Sequence, residues 1–294
     1  MKLLTRQLLA QLGQVRIPSR RRLRERFRGE HAAVKKGSSL EFSDYREYLP
    51  GDDIRSIDWN VYARTEHLFL KLFLEEQMKH VYFVVDSSES MNFGEPTKFE
   101  YALAVAAGLS YACIQNYDHA RILLVNGTAF RSIPFASASQ FFLHTAQLEN
   151  ARTSGETKWN TALRKIALAR LPRGVYFLLS DFYSADGLAS GGSWDGMKIL
   201  AAAGNELNCL QVLTDEEIAP SYRGDFRLLD SENESISEVS INPSVLGRYS
   251  GRLKQLQDSI KQAALHSMAA FYMIRTSTPL KHLLLQDLRK TGML

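Results

Sequence analysis

From Lys79 onward, short β-rich apolar runs alternate with longer amphipathic stretches, and no other feature narrows the fold as far. That alternation is the sequence sign of a mostly parallel sheet covered by helices on both faces. His80 to Val85 reads as a buried strand, followed by a helix over 97–116 that opens with Thr97 and Glu100 in capping-box spacing. Two further strands, 120–125 and 128–133, meet at Asn126-Gly127, a hairpin dipeptide that predicts an antiparallel edge strand.

The pattern continues with helices near 137–148 and 157–170, a strand at 175–180, a helix near 194–203 and a strand at 208–213. The acidic, turn-rich stretch 214–241 predicts a loop with short strands. Asn242-Pro243 caps a long helix, and the chain closes with a strand at 269–275 and a helix at 279–290. The expected fold class is therefore α/β: a doubly wound, mostly parallel, Rossmann-like sheet with one antiparallel edge strand and an N-terminal extension.

Charge divides the chain. The net value is +4, yet residues 1–40 carry eleven Lys or Arg against two acids, and the remainder is net negative. Arg20, Arg21, Arg22, Arg24, Arg26 and Arg28 crowd together, which reads as a solvated arm or helix. No aromatic interleaving, zinc pattern or recognition-helix signature accompanies them, so no specific nucleic acid is expected. An amphipathic stretch at 2–12 leaves contact with a membrane surface open. Three parts are expected: a basic arm at 1–36, a small extension at 37–78, and the α/β domain at 79–294.

Only Cys113 and Cys209 are present, each in an apolar run, which argues against a disulfide scaffold or a thiolate metal cluster and predicts a cytoplasmic, reducing setting. The N-terminus lacks a small-residue cleavage site, and the apolar stretch 103–114 falls short of the ~20 residues of a spanning helix, so a soluble protein is expected. The seven histidines show no paired metal spacing.

The sharpest chemical signal is Asp86-Ser87-Ser88-Glu89-Ser90, at the C-terminal end of the first central strand, the edge where such sheets bind ligands. Asp86, Ser88 and Ser90 alternate, so a turning loop can aim one carboxylate and two hydroxyls into one space, oxygen ligands suited to a hard cation. Asp181 follows the strand 175–180, and Thr157 precedes it after the Gly155-Glu156 turn. With strand order 3-2-1-4-5-6, Asp86 and Asp181 end side by side at the switch point. Taken alone, the first motif is equally a strand-to-helix turn with Asp and Ser capping amides; the two distant residues tip the balance toward metal.

Asp86-x-Ser88-x-Ser90 with Thr157 and Asp181 resembles the metal-ion-dependent adhesion site of von Willebrand factor A domains. Arg46 to Trp59 (REYLPGDDIRSIDW) with Ala63-Arg64-Thr65 resembles, more narrowly, the bacterial "domain of unknown function 58" family. The resemblance implies that Ser88, Ser90 and Thr157 supply hydroxyls to Mg²⁺ or Mn²⁺, with Asp86 and Asp181 acting directly or through water. It also implies a MoxR-type AAA+ ATPase and its client complexes as partners. Glu89 stands where the family usually has a small residue, and Thr161 rivals Thr157 for the hydroxyl role.

Two functional classes remain. One is a non-catalytic protein-interaction module whose metal binds a partner's acidic side chain. The other is a metal-dependent phosphatase or phosphotransferase with Asp86 as nucleophile, which is weakened because Ser88 stands where a second acid belongs. No nucleotide, hydrolase or zinc-protease motif occurs. For Arg46, Asp52, Asp53, Arg55, Asp58 and Trp59 the expectation is a tight turn, one or two Asp to Arg pairs and an aromatic anchor packing the extension onto the domain, with partner binding as the other reading.

Overall fold

The computed structural model describes residues 4–19, 41–74, 78–183, 194–229 and 236–294. The Arg20 to Arg28 cluster lies outside them. The chain forms two compact units: Met1–Ser19 with Lys79–Leu294, and Arg20–Met78. The first element, α1 (Arg6–Leu12), belongs to the larger unit.

The smaller unit is an antiparallel pair, β1 (Glu41–Glu47) and β2 (Phe69–Leu74), joined by a 3-10 turn (Ile54–Ser56) and α2 (Trp59–Thr65). Acidic side chains build the connection. The Asp53 carboxylate accepts from Arg55 N, and Asp58 caps α2 by accepting from the amides of Asn60 and Val61. Such caps satisfy amides that a helix start leaves orphaned.

In the larger unit six strands make the sheet: β3 (His80–Asp86), β4 (His119–Asn126), β5 (Ala129–Phe135), β6 (Val175–Ser180), β7 (Glu206–Leu213) and, after the hairpin strands β8 (Gly224–Leu229) and β9 (Ile236–Ile241), β10 (Ala270–Arg275). Their order is β10-β7-β6-β3-β4-β5, parallel throughout except for β5. Counting only these six, that is the doubly wound order in which the chain switches direction between β3 and β6. The Gly127 turn makes β5 antiparallel, with Asn126 opposite Ala129.

Side chains alternate along a strand, so β3 serves two cores. Val81, Phe83 and Val85 join one hydrophobic cluster, and Tyr82 and Val84 the other. The first lies under α1, α3 (Lys98–Gln115) and the C-terminal helical run 280–290; the second lies under α5 (Trp159–Leu168) and α6 (Asp195–Ala202). Between them in sequence, α4 (Ala138–Glu149) buries Phe141 and Leu148.

One expectation changes. Residues 4–19 are not a solvated arm: Leu8, Leu9, Leu12, Val15 and Ile17 are buried in the first core. The apolar face of α1 packs on α3, where a Cβ at Gly108 would lie 3.3 Å from Leu12 Cδ1 and 3.1 Å from Leu284 Cδ1. The stretch 214–241 carries the short strands expected of it, β8 paired with β9, and adds α7 (Asp215–Ile218), opened by a Thr214/Glu217 capping box. After it, α8 (Pro243–His266) begins at the Asn242 cap as expected.

Candidate metal centre

The parallel register pairs Val85 with Leu179, so β3 and β6 leave the sheet together, Asp86 at one end and Ser180-Asp181 at the other. The loop after β3 is then fixed by backbone bonds. Ser87 N donates to Val125 O (2.9 Å), Ser154 N to Ser87 O (2.9 Å) and Glu89 N to Gly155 O (2.8 Å). Gly155, at φ +59, adopts the left-handed conformation that a side chain disfavours, and this turn carries the chain back past the Asp86 loop to Thr157.

Asp86 is buried and receives four donors. Thr157 Oγ1 (2.7 Å) and Ser88 N (2.9 Å) donate to Oδ1; Ser180 Oγ (2.6 Å) and the Trp159 indole N–H (3.0 Å) donate to Oδ2. Ser88 Oγ and Ser90 Oγ are 3.1 Å apart. Burial, reinforced by the nearby Asp181 charge, raises the Asp86 pKa against these hydrogen bonds.

Asp181 is equally buried but faces a side chain the sequence reading missed. Lys98 Nζ lies 2.7 Å from Asp181 Oδ2 and 2.5 Å from Glu217 Oε1. Burial pulls the Lys98 pKa down, yet the two carboxylates outweigh it and hold the group above its usual value. Tyr183 N donates to the other Asp181 oxygen (2.9 Å), and Gln211 Nε2 to its carbonyl (3.1 Å).

All five expected residues thus gather around the ends of β3 and β6. Thr157 lies two residues before α5 rather than opening it, because Lys158 is the N-cap. Glu89 does not add to the site; its carboxylate accepts from Asn92 Nδ2. Lys98, Glu217, Trp159 and Ser180 were missed. A lysine at the first position of α3 opposes the helix dipole, and that was the one legible hint.

The donor set is oxygen throughout. Two carboxylates, Asp86 and Asp181, stand with the hydroxyls of Ser88, Ser90 and Thr157, and hard oxygen donors of this kind suit a hard divalent cation rather than a soft one. Among the described residues no group of three or more His, Cys, Asp or Glu gathers that could hold a metal ion, so any cation here would depend on the hydroxyls.

Within the smaller unit the signature residues pair locally. Arg46 Nη2 pairs with Asp52 at 2.8 Å, and that hydrogen bond lowers the Asp52 pKa. Asp58 accepts from Lys71 (3.0 Å) and the Tyr45 hydroxyl (2.9 Å); the lysine contact chiefly brings its pKa down to about 2. Trp59 corrects an expectation: it is 60% exposed, edge-on to Tyr62, and anchors nothing by burial.

Strand order and the residues gathered at the ends of β3 and β6 define a doubly wound α/β domain with a buried, oxygen-lined cluster at its switch point. The profile of the family described as "Protein of unknown function DUF58" matches residues 44–258, and the chain belongs to that family. Uncharacterized protein Mb1516 of Mycobacterium bovis is 27% identical over 223 residues, 74% of this chain and 68% of the relative; uncharacterized protein Rv1480 of Mycobacterium tuberculosis gives the same figures. Among solved structures, the conserved hypothetical protein BatB from Bacteroides thetaiotaomicron is similar with a TM-score of 0.47 at 13% identity, over 73% of this chain and 98% of that one. The SpRpn10 VWA domain is similar with a TM-score of 0.41 at 13% identity, over 72% and 95%. No described helix is long and apolar enough to cross a membrane.

Proposed function

We propose that the chain is a non-catalytic, von Willebrand factor A-like protein-interaction module that holds Mg²⁺ or Mn²⁺ and uses it to bind an acidic side chain of a protein partner. Ser88, Ser90 and Thr157 would be the hydroxyl ligands, with Asp86 and Asp181 behind them. Bound there, the cation supplies a coordination position that a partner's Asp or Glu completes.

The observation that carries this reading is the Thr157 hydroxyl donating to Asp86 at 2.7 Å across 71 positions of sequence. That bond ties Thr157 to the end of β3 while Asp86 stays anchored by Ser180 and Trp159. Neutral ligands leave a cation's charge under-compensated, which favours an incoming carboxylate. The family resemblance suggests a MoxR-type AAA+ ATPase with its client as the partner. Cys113 and Cys209, both buried free thiols, suit a cytoplasmic setting.

Isothermal titration with Mg²⁺, paired with circular dichroism, tests the site. Wild type should bind and Asp86→Ala should not, while both keep the same helical signal. Equal affinity in the two proteins overturns the assignment.

A further inference from the structure

The metal reading leaves Lys98 without a task, and a buried ammonium is expensive to keep. Replacing a buried ion pair by apolar groups of similar volume is commonly neutral or stabilising, so packing alone does not call for a lysine here. Lys98 is 1% exposed, as is Asp181. Its position is fixed at both ends. The Thr97/Glu100 capping box pins the backbone, and the ammonium sits between Asp181 and Glu217, 5.4 Å from the Tyr183 ring centre. Glu217 is itself held, its other oxygen accepting from Thr214 N at 2.8 Å.

Resting on the metal-binding reading above, we infer that Lys98 acts as a built-in cation that sequesters Asp181 and keeps the resting affinity of the centre for Mg²⁺ low. Both Asp181 oxygens are committed, one to Lys98 and one to Tyr183 N. Both Asp86 oxygens carry two donors each. With both carboxylates already holding donors, the groups a divalent ion would meet without displacing a charge partner are neutral hydroxyls, those of Ser88, Ser90 and Thr157. A fixed positive charge on the neighbouring carboxylate further weakens attraction in this low-dielectric setting. The unmet charge is what a partner's carboxylate would satisfy, so Lys98 makes metal retention depend on the partner.

The discriminating protein is the double variant Lys98→Met/Glu217→Gln. It loses one positive and one negative charge, so its formal charge equals that of wild type and only the release of Asp181 differs. Titration calorimetry with MgCl₂ alone should show affinity rising by about tenfold or more in the double variant. Glu217→Gln alone, which keeps Lys98 on Asp181, should bind no tighter than wild type. Should the methionine variant fail to fold, Lys98→Gln/Glu217→Gln retains a neutral donor to Asp181 and should show the same gain. Wild-type binding with affinity within twofold in a folded double variant overturns the role of Lys98 while leaving the metal centre standing. No Mg²⁺ binding in wild type or in either double variant overturns both, and binding that emerges only in a double variant supports both.

Discussion

The Trp159 indole N–H lies 3.0 Å from Asp86 Oδ2 and 2.9 Å from Ser180 Oγ, so one aromatic side chain pins the carboxylate of β3 to the hydroxyl that ends β6. Trp159→Phe keeps most of the packing against Phe182 and removes that donor. A loss of about 1–3 kcal/mol in urea denaturation is expected, together with weaker Mg²⁺ binding in calorimetry because Asp86 is less firmly oriented.

Acid should stabilise the metal-free protein at this locus. The folded-state pKa of Asp86 is raised above its unfolded value of about 3.9, so between the two the native state binds more protons than the unfolded chain. Stability in EDTA should therefore fall as pH rises through that window, and Asp86→Asn should remove this component of the slope. Melting temperatures from pH 4 to 8 on both proteins provide the check; identical slopes would contradict the assignment.

Leu12→Ala should cost about 2–5 kcal/mol, the usual range for truncating a fully buried leucine. Leu12 is completely buried in the core beneath α3, so the effect should register as a lowered denaturation midpoint of the whole larger unit. A solvated arm would give no change.

Trp59→Ala should leave stability within about 0.5 kcal/mol, as for an exposed site outside any network. Asp58→Ala in the same unit should be the more damaging change, since it removes the α2 cap and the Lys71 contact together. Limited proteolysis of both variants compares them directly.

The sheet was legible because period and punctuation agreed: His80 to Val85, the Asn126-Gly127 turn and Asn242-Pro243 each mark a boundary by local chemistry alone. Asp86, Ser88, Ser90, Thr157 and Asp181 were legible because doubly wound order predicts which strand ends adjoin. Lys98 and Glu217 were not. Their pairing spans 119 positions and joins the starts of two different helices, a relation no periodicity encodes. Trp159 shares an apolar helix stripe with Leu163 and Ile166, and nothing local reveals that its N–H turns toward a carboxylate. The role of residues 4–19 was obscured by the arginines that follow, whose charge suggested solvent for the whole segment.

Residues 17 and 79 lie together in the larger unit: Lys79 Nζ donates to Ile17 O at 3.2 Å, and α1 completes the core on which α3 rests. The chain thus leaves the larger unit after residue 19 and re-enters it at residue 79, and these are neighbouring points on that unit. Cutting the chain within 20–78 would leave residues 4–19 held against α3 by non-covalent contacts alone, and a short linker bridging residues 19 and 79 should leave the strands undisturbed.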